Sequence, residues 1–134
     1  MTQGLQGRTR ICRVEELPAG EAVAFNGVVR GEVRACFVLR VPEAHAHERK
    51  FAAFLNVCAH RNQPVVDSRY PFDDELLVEC RAHGARYEPH TGLCVDGPCV
   101  GARLVSLTVE EIGGELYAVD DDCIDDSVYE DDWE

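Results

Sequence analysis

No apolar run in the chain approaches the ~18 consecutive residues that a membrane-spanning helix requires. Residues 1–13 carry basic side chains but no apolar stretch of the kind that follows the charged start of a secretory signal. The expected location is therefore the cytoplasm, or the compartment of synthesis. Basic residues are few: 13 Lys and Arg stand against 25 Asp and Glu, a net charge of −12. That balance excludes ordinary nucleic-acid binding, which relies on Lys and Arg neutralising phosphates. It fits steering towards a basic docking surface on another protein, and equally fits solubility alone. No nucleophile–base pair, phosphate-binding glycine loop or flavin site is visible. There is no internal repeat and no long amphipathic helix.

What is present is a set of short apolar segments punctuated by Gly, Pro and Asn. At 134 residues and 46% apolar composition, the chain suits one domain with a single core. The pattern predicts an all-β fold. Strands are expected over 10–14, 21–25, 34–41, 51–57, 76–79, 85–88, 93–95, 104–109 and 115–119. Asn26-Gly27 is the strongest hairpin signal, with 28–30 returning on its other side. Gly113-Gly114 predicts a second hairpin, and 104–109 alternates with period two as one strand. Residues 42–50 form a polar connection whose His45 and His47 read as a solvated tip. From Asp120 onward, nine carboxylates and no basic residue predict a flexible acidic tail over 120–134. Its Ile124, Val128, Tyr129 and Trp133 could anchor a partner, fold back, or simply ride on a solubilising segment.

Seven cysteines without a secretory signal are expected to be reduced. Cys12, Cys36 and Cys123 read as small buried hydrophobes or incidental thiols. Two others have metal-ligand spacing. Cys58-Ala59-His60 is followed, after nineteen residues, by Cys80-Arg81-Ala82-His83-Gly84. Each short loop thus offers one thiolate and one imidazole. Zinc and an iron–sulfur centre of mixed ligation are both candidates for such a set. Cys-x-His is uncommon in zinc sites, which lead with paired cysteines or paired histidines.

The two motifs, with Ala85-Arg86-Tyr87, Thr91-Gly92 and Gly97-Pro98 after them, resemble a Rieske [2Fe–2S] domain. The resemblance implies an antiparallel β-sandwich or barrel base with an inserted cluster-binding subdomain over about 57–99, within a Rieske domain of 1–119. It implies one [2Fe–2S] cluster, with Cys58 and Cys80 on a buried iron and His60 and His83 on an outer one. The spacer between the motifs is a few residues longer than is common in the family, and the excess is expected as a surface bulge over 67–74. Gly97-Pro98 matches the loop that covers the cluster. Cys94 and Cys99 flank that loop and are expected as thiols beneath it, although they could pair under oxidation. His90 is expected to be exposed in a turn. Arg61, Arg81 and Arg86 either pair with carboxylates of a partner or solvate the surface.

Family members that oxidise quinols carry an extra cysteine in each ligand loop, where this chain has Gln63 and Ala82. They also place a serine hydroxyl against a bridging sulfide, where this chain has Ala85. Tyr87 stands where a tyrosine can donate to a ligand sulfur. These residues predict a potential near the bottom of the Rieske range of about −150 to +300 mV. The resemblance therefore implies an electron carrier and not an enzyme in its own right: a stand-alone ferredoxin taking electrons from a flavin reductase and delivering them to an oxygenase or similar terminal enzyme. At 134 residues, a mononuclear iron domain of the oxygenase kind is not expected beside it. The alternatives are a small Rieske subunit of a larger reductase of the nitrite reductase type, and a structural zinc domain.

Overall fold

The computed structural model describes residues 7–42, 50–57, 64–66, 69–80, 84–97 and 100–120. Among the described residues ten strands run in order: β1 (Arg8–Arg13), β2 (Ala22–Val29), β3 (Glu32–Arg40), β4 (Phe51–Leu55), β5 (Val78–Cys80), β6 (Ala85–Tyr87), β7 (Cys94–Asp96), β8 (Ser106–Leu107), β9 (Val109–Ile112) and β10 (Glu115–Val119). They form three sheets ordered β1-β10-β9, β2-β3-β4-β8 and β5-β6-β7. Every pairing is antiparallel. No α-helix occurs among the described residues; a 3-10 turn at Val14–Glu16 ends β1 where the expected strand ran on to Val14.

The middle sheet is buried on both faces. Along β3, Phe37 and Leu39 join one core cluster while Cys36 and Val38 join another, and β4 divides in the same way between Ala52, Phe54 and Ala53, Leu55. Side chains alternate across a strand, so a strand covered on both sides reads as one continuous apolar run. The first cluster takes Val78, Cys80, Ala85, Tyr87 and Cys94 from the β5-β6-β7 sheet. The second takes Cys12, Leu116 and Ala118 from the β1-β10-β9 sheet. The small sheet that carries the second ligand motif is thus mounted on one face of a two-sheet base.

Three local expectations are corrected. Asn26-Gly27 is not a turn but lies inside β2, where Asn26 pairs with Ala35 and Gly27 with Arg34. The turn is Arg30-Gly31, both with positive φ (54° and 79°), the backbone that a two-residue type I′ hairpin requires. Gly27 answers a packing need instead: a β-carbon there would lie 3.0 to 3.2 Å from the side chains of Phe25, Leu107 and Cys36. The expected strand 104–109 is two strands in two sheets, β8 on β4 and β9 on β10. Leu107 and Val109 face the same core cluster, so the period-two pattern continues across the change of sheet and conceals it.

The third correction concerns the spacer. Residues 67–68 lie outside the described residues, but 69–74 do not form a loose bulge. The Ala22 amide donates to the Arg69 carbonyl (2.8 Å), and the Glu79 amide to that of Pro71 (3.0 Å). Phe72 bridges Val78 and packs on the first core cluster. The turn that follows is fixed by Asp73, whose Oδ1 accepts from the amides of Glu75 (2.8 Å) and Leu77 (3.0 Å). The spacer therefore ends as a hairpin folded back onto β5.

Candidate metal centre

Of the four expected ligands, Cys80 is described; Cys58, His60 and His83 lie outside the described residues. So do Gln63, Ala82, Arg61, Arg81, Pro98, Cys99, Cys123, the histidines at 45 and 47, and the tail from 121. Among the described residues no three metal-binding side chains gather. What the fold shows is how the ends of each expected loop are held.

The first motif leaves β4 through Asn56. Its side-chain oxygen accepts from the Val65 and Val66 amides (2.8 and 2.9 Å), and its amide nitrogen donates to the Val66 carbonyl (2.8 Å). One side chain thus clips together the two ends of the segment containing Cys58 and His60. Sequence reasoning passed over Asn56. The available signal was an Asn at the mouth of a loop, a residue type that bonds readily to nearby backbone.

The second motif starts at the last residue of β5. Cys80 is fully buried and pairs with Ala85 of β6. The Gly84 amide returns to the Cys80 carbonyl (2.8 Å), closing the segment that carries His83. Ala85 and Tyr87, on the inward face of β6, are both fully buried in the same cluster as Cys80. Tyr87 is therefore a core aromatic, in the cluster where contact with a ligand sulfur would be made.

The third loop is pinned at its base by hydrogen bonds between Cys94 and residues 101 and 102 (3.0 and 2.8 Å). The Cys94 thiol donates to the Asp96 carbonyl (3.2 Å). Gly97, with φ 98°, lies against the start of β6: a β-carbon on it would stand 3.0 Å from the Gly84 carbonyl oxygen. The loop expected to cover the cluster thus meets the end of the second expected ligand loop.

Two expectations about charged groups change. His90 is in a turn, but its side chain is only 15% exposed, with Nε2 3.9 Å from Glu88 Oε1. The neighbouring Pro89 is fully buried and draws the turn inward. Arg86, expected at a partner interface or in solvent, is used internally. Its Nε lies 2.9 Å from Asp73 Oδ2, its Nη1 3.4 Å from Asp96 Oδ2, and its Nη2 is hydrogen-bonded to Glu75. Cys12 and Cys36 are buried as expected, and burial pushes both thiols up from their ordinary value.

The buried thiol at a strand end, the neighbouring closed loop and the second, clipped loop fit a centre with two sulfur and two nitrogen donors. The family model described as Rieske [2Fe-2S] domain matches residues 7–113. No curated protein matches the chain. Among solved structures, the Sphingomonas yanoikuyae B1 ferredoxin is similar at 25% identity and TM-score 0.62, over 84% of this chain and 97% of that one. A chain of the complex of reduced oxygenase and oxidized ferredoxin in carbazole 1,9a-dioxygenase has 23% identity and TM-score 0.66, over 87% and 95%. The terminal oxygenase of carbazole 1,9a-dioxygenase from Novosphingobium sp. KA1 shares the fold at 18% identity and TM-score 0.62, over 86% of this chain but 30% of its own. No helix among the described residues is long and apolar enough to cross a membrane.

Proposed function

The chain belongs to the Rieske [2Fe–2S] domain family, a family of electron-transfer domains holding one such cluster, and on that premise we propose that it works as a ferredoxin. Cys58 and Cys80 would hold one iron of the cluster, and His60 and His83 the other. Residues 1–119 form the Rieske domain, with the centre held over about 57–99. Electrons arrive from a flavin reductase and leave to an oxygenase-like terminal enzyme. The observation carrying this reading is the near-complete mutual coverage with the Sphingomonas ferredoxin, 84% of this chain and 97% of that one.

When bound, the cluster takes up and gives back one electron without exchanging ligands. The protein's part is to hold four donors still. Cys80 sits at a strand end whose pairing with Ala85 fixes the direction of its side chain. Asn56 and the Gly84–Cys80 hydrogen bond restrain the two loops, so little reorganisation accompanies the transfer. Neutral imidazoles in place of two thiolates remove negative charge and make electron uptake easier. Ala85 offers no hydroxyl donor, which sets the potential low within the Rieske range. Tyr87 supplies a remaining hydrogen bond to sulfur.

The purified protein should be red-brown, contain about two irons per chain and give a Rieske-type electron resonance when reduced. His83→Ala should abolish or transform that spectrum. A colourless protein with one zinc per chain would overturn the proposal. Purification bound to a large reductase would instead favour the subunit reading, with the 120–134 tail as its docking arm.

A further inference from the structure

Arg86 is placed to do more than solvate a surface. It sits in the centre of the small sheet, paired across to Glu79 on β5 and Asp96 on β7. Its neighbours Ala85 and Tyr87 point into the core, so its side chain points to the outer face. There it meets two loops that use the same device. Asp73 spends Oδ1 on the amides of Glu75 and Leu77 and presents Oδ2 to Arg86 at 2.9 Å. Asp96 spends Oδ1 on the Gly97 amide (2.8 Å) and presents Oδ2 to Arg86 at 3.4 Å. Each aspartate fixes its own backbone with one oxygen and reaches the guanidinium with the other.

One of these loops is the tip of the spacer hairpin, in which Leu76 holds a left-handed φ of 63°, a conformation costly for a residue with a side chain. The other is the loop whose Gly97 rests on Ala85. The planar fork of an arginine suits two carboxylates on different elements, which a lysine's single ammonium cannot hold in the same way. Asp73 and Arg86 are also well shielded, with side chains 14% and 26% exposed, so that pair is less screened than an ordinary surface pair, whereas Asp96 is 61% exposed. Around it lies an open cleft of about 520 Å3 lined by Phe72, Asp74 and Glu79 besides the ion-pair residues.

We propose that Arg86 is a positioning residue that ties the spacer hairpin and the covering loop to the cluster-binding sheet, and so holds Gly97 in place over the centre. The inference rests on the ligand assignment above for its link to the cluster, but the tether itself does not. Without the guanidinium, Asp73, Glu75 and Asp96 repel one another, and the two loops separate.

The test compares Arg86→Gln, Arg86→Lys and Arg10→Gln in the full-length protein. Arg10→Gln removes a comparable ion pair, Arg10–Glu115 at 2.9 Å, in the other outer sheet. Iron release to a chelator should be faster in Arg86→Gln by about tenfold, the low end of what is lost when a group supporting a metal site is removed. Its midpoint should fall, because a positive charge favouring the added electron is gone. Arg86→Lys should restore the midpoint but not slow the release. Hydrogen exchange at the Gly97 and Leu77 amides reads the tether without iron: both should lose protection together in Arg86→Gln and neither in Arg10→Gln. If Arg86→Gln does not fold, Arg86→Lys, which leaves both aspartates in place, should still deprotect Gly97 and Leu77. Unchanged exchange, or equal acceleration in Arg10→Gln, overturns the proposal. Normal tethering in a protein without iron would sink the ferredoxin reading instead.

Discussion

Gly97 lies over Ala85 so closely that a β-carbon on Gly97 would stand 2.7 Å from the Ala85 Cα. The first is in the loop expected to cover the cluster, and the second opens the strand that follows the second ligand motif. Backbone therefore meets backbone, and no side chain can turn aside to relieve an added atom.

Gly97→Ala should accordingly be expensive. The residue would keep a left-handed φ and collide with β6, a combination costing on the order of 1–3 kcal/mol. Thermal unfolding of the variant should begin at lower temperature, and a chelator should extract iron sooner. A variant with the wild-type melting curve would mean that the loop does not bear on the strand.

Ala85→Ser tests the reading of the potential. The side chain is fully buried in the cluster that holds Cys80. A hydroxyl donating to sulfide would stabilise the reduced state by about 1 kcal/mol. For a one-electron couple, at 59 mV per factor of ten, this amounts to about 40 mV upward. Redox titration of both proteins checks it. A fall in stability with no change in midpoint would show that the hydroxyl finds no acceptor. A wild-type midpoint above about +150 mV would already contradict the low-potential reading of Gln63, Ala82 and Ala85.

Cys12 and Cys36 should resist alkylation in the folded protein. Their side chains are 5% and 1% exposed, and burial pushes both thiols up, so little thiolate forms at about pH 8. Mass spectrometry after iodoacetamide treatment should find both modified only after unfolding. Rapid native modification of Cys36 would mean that the β2–β3 hairpin opens freely.

Glu115 gives the β1–β10 pair a pH dependence. Hydrogen bonds from Arg10 first and Tyr117 second hold its carboxyl below the ordinary 4.5. A carboxyl lowered in the folded state adds stability above its unfolded value and loses it as pH falls through the folded one. Glu115→Gln should therefore be less stable than wild type at neutral pH, and the gap should close below 4.5. Urea unfolding at several pH values measures it. A gap that stays constant into acid would assign the effect to shape and not charge.

The two Cys–His motifs, the all-β class and the second hairpin at Gly113-Gly114 were legible in the sequence because each is written in local terms. Ligand chemistry is carried by residue type and spacing. Strand periodicity reports burial on one face or two. What depends on which distant strand lies alongside was not legible. Asn26-Gly27 looks like a turn until Leu107 arrives from 80 residues away to require a glycine in mid-strand. The change of sheet at Thr108 is hidden because both sheets share one core.

The sequence by itself pointed to four candidate donors, since thiolate and imidazole keep their chemistry in any fold, and the family match over residues 7–113 supplied the kind of centre. Only the tertiary structure decided that Asn56 clips the first loop, that Pro89 draws His90 inward, and that Arg86 is shared by Asp73 and Asp96. A polar side chain has no fixed partner in a chain of letters; its partner is whichever opposite charge or open backbone group the packed sheets bring within reach.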